Sequence, residues 1–156
     1  MAIPSSIIGP VTGALISGLI GVLIVEYRNY RDEVAEIERW YEQTIRLADQ
    51  LERETPDSYL EQISGEGSAN ERAETADDMI DAYGRIGERL RDHINRAPPE
   101  ISESVIDGAT LTARYCQIVA REGRDSGFIN RVGPAVKSAK NLHEETIEAK
   151  REVGLF

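Results

Sequence analysis

At 156 residues the chain has room for one domain and a short appendage, and its 28 acidic against 18 basic side chains give a net charge of −10. Phosphate backbones are bound by clustered Lys and Arg, so this balance argues against nucleic acid as the main partner. A single cysteine, Cys116, excludes an internal disulfide and gives no sign of an oxidising compartment.

The charge is unevenly spread. Residues 1–25 carry no charged side chain, so the whole acidic excess falls on residues 26–156. Only Lys137, Lys140 and Lys150 are lysines, against fifteen arginines. Acidic side chains in excess with few lysines resemble the surfaces of proteins from salt-loving archaea, where concentrated salt screens the self-repulsion. A GC-rich genome produces the same preference for Arg over Lys.

The first element in chain order is the uncharged stretch over residues 7–25. Nineteen residues at about 1.5 Å each nearly cover the ~30 Å core of a bilayer, so the stretch reads as a single transmembrane helix. Tyr27, Arg28, Tyr30 and Arg31 follow it. Tyrosines suit the headgroup level and arginines mark the cytoplasmic side, so residues 1–6 are expected outside and residues 26–156 in the cytoplasm. A cleaved signal peptide would need a basic start and a small-x-small site, and neither is present. Within the span Gly9, Gly13, Ser17 and Gly21 recur every fourth residue, with Ala14 and Gly18 beside them. Small residues on one side let two helix backbones approach closely, which predicts self-association in the membrane.

No Gly or Pro interrupts residues 22–55, and Val34, Ile37, Tyr41, Ile45, Ala48 and Leu51 keep helical spacing. The membrane helix is therefore expected to continue as one rod to about Glu54. Thr55 and Pro56 then read as the N-cap and first position of a short turn reaching residue 63, before a flexible Gly- and Ser-rich loop over 64–70. A second long helix is expected over residues 71–95, with Ala76, Met79, Ile80, Tyr83, Ile86, Leu90 and Ile94 on one stripe. Ala97, Pro98 and Pro99 break it. A third helix over 100–122 carries Ile101, Val105, Ala109, Thr112, Tyr115, Ile118 and Val119. Gly123 is its expected cap, and 124–127 a turn. The last helix carries Val136, Ala139, Leu142, Thr146, Ile147 and Val153, with Gly133 and Pro134 inside it or just before it. No stretch alternates with period two for long enough to be a strand. The fold class is all-α: an N-terminal transmembrane helix (7–25) continuing into an acidic, cytoplasmic, antiparallel bundle of four-helix type (26–156). This layout is similar to that of many small archaeal and viral membrane proteins.

Candidate chemistry is thin. Glu144, Glu145 and Glu148 spell EExxE, which resembles the magnesium-holding element of helical bundles that hydrolyse nucleoside triphosphates. In those proteins an ExxD follows on the next helix. Here the ExxD of Glu74 and Asp77 comes earlier, and no helix follows EExxE. Glu74, Asp77 and Asp81 are the alternative metal ligands, set against the commoner reading of a solvated acidic face. His93 and His143 form no ExxH pair, and no Cys/His cluster suits zinc. Cys116 lies in an apolar stretch and reads as a small buried hydrophobe. Gly84 and Gly87 read as points of close helix packing, and Trp40 with Tyr41 as part of the bundle core.

The sequence thus points to a membrane-anchored interaction or scaffold module without catalytic activity, self-associating and presenting an acidic surface to a protein partner. No cofactor is expected. The alternatives are a membrane-associated, metal-dependent phosphohydrolase and a transmembrane signalling element.

Overall fold

A computed structural model describes the backbone of residues 5–55, 69–122 and 128–153, and the side chains of 21–55, 76–122 and 132–153. Among the described residues there are four helices and no strand: α1 (Ser5–Arg53), α2 (Ala69–Ile94), α3 (Glu103–Glu122) and α4 (Phe128–Val153). The chain divides into two units, Met1–Glu36 and Ile37–Phe156.

The second unit is the bundle. Trp40 and Thr44 of α1 meet His93 of α2, while Gln50 meets Arg89 and Thr55 meets Tyr83. Rising numbers on α1 pair with falling numbers on α2, so the two run antiparallel. Gly84 and Gly87 lie against Ala120 and Cys116 of α3, and Gly108 and Thr112 of α3 lie against Glu145 and Ser138 of α4. Glu42 and Asp49 of α1 meet Lys150 and His143 of α4. Every neighbouring pair runs antiparallel and the ring closes, which is the up-down-up-down order that short connections favour.

Apolar residues at helical spacing on each element converge on one core, in which Tyr41, Leu47, Leu51, Tyr83, Ile86, Leu90, Val105, Val119, Val132 and Leu142 are almost wholly buried. Fully burying side chains of this size contributes roughly 1.5–3 kcal/mol each, against the entropy of ordering the chain. Threonines share the interior. Thr44, Thr112 and Thr146 each donate to the carbonyl four residues back, so a buried hydroxyl is satisfied within its own helix. Ser138 closes on Thr112 across the α3–α4 seam at 2.8 Å.

Helix ends follow local chemistry. Thr55 stands at the end of α1: its N–H donates to the Glu52 carbonyl, and its hydroxyl donates to the Leu51 carbonyl at 3.1 Å. The Tyr83 hydroxyl lies 2.6 Å from the Thr55 oxygen, and this contact to α2 holds the side chain at the C-terminal end. The turn expected through residue 63, the loop at 64–68, and Gly123 with the following turn lie outside the described residues. α3 begins at Glu103, not near residue 100, because Ile101 N–H closes a turn onto the Pro98 carbonyl. The Ser102 carbonyl then accepts the first amides of the helix, from Val105 and Ile106. Pro134 lies inside α4, where its missing N–H removes one intrahelical bond.

For the first unit the result is coarser than expected. Among the described residues no helix is long and apolar enough to cross a membrane. The span expected over residues 7–25 falls mostly on residues 7–20, whose side chains lie outside the described set. The described apolar remainder, residues 21–25, covers only about 8 Å of helix rise. The transmembrane helix is therefore not shown; a continuous helix from Ser5 to Arg53 is.

Candidate functional site

Residues 21–30 are all exposed. Val22, Leu23, Ile24 and Val25 show 49–58% of their surface, and Tyr27 and Tyr30 show 67% and 49%. Arg28 and Arg31 are exposed beside them. Four branched apolar side chains in a row form the largest exposed apolar run among the described residues. Gly21 has open space where a Cβ would stand. Gly9, Gly13 and Ser17, the rest of the expected packing row, lie outside the described side chains.

The acidic candidates do not assemble. Asp77 and Asp81 are exposed on α2, and Glu74 lies outside the described side chains. Glu144, Glu145 and Glu148 are exposed on α4. Among the described residues no group of three or more His, Cys, Asp or Glu side chains is placed to hold a metal ion. Cys116 is fully buried in the core, and burial pushes its thiol up to about 12, far from thiolate chemistry.

The two histidines have different surroundings. His93 is buried and stacked on Trp40, with ring centroids 4.4 Å apart and planes 12° from parallel. Trp40 Nε1 donates to the His93 carbonyl at 3.2 Å. In the Nε2–H tautomer the His93 ring donates back to the Trp40 carbonyl at 3.1 Å, with the Thr44 hydroxyl 3.0 Å from the same nitrogen. Desolvation lowers the His93 pKa below the ordinary value, opposed by the bond to the Trp40 carbonyl. Tyr41 meets Trp40 edge-on at 5.8 Å, and its hydroxyl accepts from Ser102 N–H at 3.2 Å. The aromatic pair thus belongs to the core. His143 lies on the surface, with Nδ1 2.7 Å from an Asp49 carboxylate oxygen.

A groove between α1 and α2 was not anticipated from the sequence. It is an open cleft of about 380 Å³ lined by Arg39, Gln43, Arg46, Leu47 and Gln50 of α1 and Arg89 of α2, with Glu42 at its edge. Arg39, Gln43, Arg46 and Gln50 step by four, three and four, which places them on one line along α1. Leu47, 1% exposed, gives the groove its apolar floor. Arg89 donates to the Gln50 side-chain oxygen at 2.9 Å, which orients its guanidinium. Glu42 turns to Lys150, 2.8 Å away; that hydrogen bond and the lysine charge hold its carboxyl below the usual range, with a smaller through-space pull from Arg46. The sequence signal was the repeated Arg-x-x-x-Gln step, which an excess of acidic residues on the same helix obscures.

No protein family, no curated protein and no solved structure matches the chain.

Proposed function

We propose that this protein is a non-catalytic, membrane-tethered interaction module. Residues 7–25 serve as a single membrane anchor, Gly9, Gly13, Ser17 and Gly21 pair the anchors of two copies, and the acidic bundle is held on the cytoplasmic side for a protein partner. The observation that carries this reading is the exposed Val22–Leu23–Ile24–Val25 run followed by exposed Tyr27, Arg28, Tyr30 and Arg31. At about half exposure each branched side chain forfeits roughly 1 kcal/mol of burial, and a bilayer or a second helix would recover it. The uncharged sequence continues upstream to residue 7, which is long enough for the hydrocarbon core.

The test is fractionation of the full-length chain expressed in cells, followed by an alkaline wash of the membranes. The protein is expected to stay in the membrane fraction, and the Leu19→Arg/Leu23→Arg variant to leave it. A wild-type chain recovered in the soluble fraction would overturn the tether. Pairing is read separately in a membrane association reporter, where Gly13→Ile with Gly21→Ile is expected to abolish the signal; an unchanged signal would remove the self-association.

A further inference from the structure

Helix α1 carries one apolar stripe, and part of it lies open. Leu23, Tyr27, Tyr30 and Val34 step by four, three and four, and the same spacing leads on through Ile37, Tyr41, Thr44, Ala48 and Leu51 of one continuous helix. Alternating steps of four and three are the seven-residue repeat of a coiled-coil seam. From Ile37 to Leu51 each member of the stripe is buried in the core. Upstream the burial stops: Leu23, Tyr27 and Tyr30 are exposed and Val34 is half-buried. About two heptads of seam are thus open, on a stretch whose Glu26, Arg28, Arg31, Asp32 and Glu33 are exposed around it.

We propose that residues 23–34 pair with the same residues of a second copy as a short parallel coiled coil. The charges beside the seam select that occupant. With Tyr27 and Val34 at the a positions and Leu23 and Tyr30 at d, Glu26 falls at g and Arg31 at the following e. Five residues apart, the two lie on opposite sides of the seam and do not face each other within one helix. In a parallel pair each g residue meets the next e residue of the other helix, so Glu26 faces Arg31 of the second copy, twice by symmetry. The next such pair, Glu33 with Glu38, is like-charged, and from Ile37 the stripe is buried in the core, so the pairing ends at Val34. Tyr27 and Tyr30 place their rings in the seam and their hydroxyls at its wet edge. Three carboxylates against two guanidinium groups suit a copy of the same stretch better than an anionic lipid surface. The seam is separate from the Gly9, Gly13, Ser17 and Gly21 row. Two heptads are too few to hold free chains together, so the inference rests on the proposed tether to raise the local concentration.

The experiment is disulfide crosslinking of the full-length chain in isolated membranes, with one cysteine introduced at a time. The native Cys116 is buried in the core, and the wild-type chain is the control. Leu23→Cys and Tyr30→Cys, at d positions that face their counterparts, are expected to form covalent dimers on mild oxidation. Asp32→Cys, on the outer side of the helix, is expected to form none. In the Tyr30→Cys chain, Arg31→Glu should lower the dimer yield about tenfold at low ionic strength, because two attractive pairs become two repulsive ones. Adding Glu26→Arg exchanges the charges and should restore the yield. Equal crosslinking by Tyr30→Cys and Asp32→Cys would overturn the seam, and so would a yield indifferent to Arg31→Glu. A loss that Glu26→Arg fails to restore would also overturn it, and would give Arg31 to lipid headgroups. These failures arise with the chain still in the membrane and strike the seam alone, whereas recovery of the chain in the soluble fraction overturns the tether and the seam together.

Discussion

Two glycines of α2, one turn apart, should respond to the same substitution in opposite directions. A Cβ at Gly84 would stand 3.4 Å from the Ala120 Cβ, an ordinary contact. A Cβ at Gly87 would stand 2.9 Å from the Cys116 Cβ and 3.3 Å from the Ala113 carbonyl oxygen. Both of those atoms are fixed to the α3 backbone, so no rotamer change relieves the approach, and the helices would have to part. Gly84→Ala keeps the full gain in helix propensity and should stabilise by about 1 kcal/mol. Gly87→Ala has the same gain set against overpacking of about 1–3 kcal/mol, for a net loss of about 0–2 kcal/mol. The two variants should therefore differ by about 1–3 kcal/mol in denaturant unfolding followed by circular dichroism. Adding Cys116→Ala to Gly87→Ala should bring no recovery, because the clashing Cβ remains. Equal stabilisation by both glycine substitutions, or rescue by Cys116→Ala, would refute the close α2–α3 approach.

The buried His93 makes stability depend on pH. Its folded-state pKa lies below the unfolded value of 6.5, so the unfolded chain binds the extra proton first. Its contribution should be fully present above about pH 6.5 and decline as the pH falls from there towards the folded pKa. His93→Phe keeps a ring on Trp40 and should flatten that part of the profile; an equally steep decline in the variant would assign the proton elsewhere. Tyr83→Phe removes the hydroxyl that meets Thr55 and should destabilise by about 0.5–1.5 kcal/mol, since Thr55 keeps its bond to the Leu51 carbonyl. A neutral result in denaturant unfolding would show that the contact contributes nothing net. Cys116 should resist thiol reagents in the folded protein at mildly alkaline pH and react fully once unfolded. Rapid stoichiometric labelling of the native state would contradict its burial.

Much of the bundle is legible in residue spacing, because a three-or-four step of apolar side chains can satisfy only a helix with one buried face. Ile37, Tyr41, Ala48 and Leu51 on α1, and Met79, Tyr83, Ile86 and Leu90 on α2, are buried as that spacing requires. The stripe is wider than it reads, however. Trp40, Thr44 and Leu47 are buried too, and two of these carry polar groups whose partners, His93 and the helix's own carbonyls, are invisible without the three-dimensional pairing. The residues that Thr55 is expected to cap lie outside the described set, and its contact with Tyr83 of α2 could not be read from spacing, because threonine bonds equally well to an amide ahead or a carbonyl behind. The groove escaped for a related reason: Arg89 is fifty residues beyond Arg39 in the chain, and only antiparallel packing of α1 on α2 brings them to one cleft.

The mutual bond between Trp40 and His93 bears on uniqueness as well as strength. Helices lined with Ala, Gly, Thr and Val present much the same surface after sliding one turn, and several alignments would bury similar area. A displacement of about 5.4 Å would carry both the indole N–H and the imidazole N–H away from the carbonyls they face, and leave two buried donors stranded at once, while the carbonyls keep their bonds from Thr44 and Arg96. The exchange therefore acts as an index pin between α1 and α2: it adds little to the total free energy of folding, yet it singles out one axial setting among many that packing alone would accept.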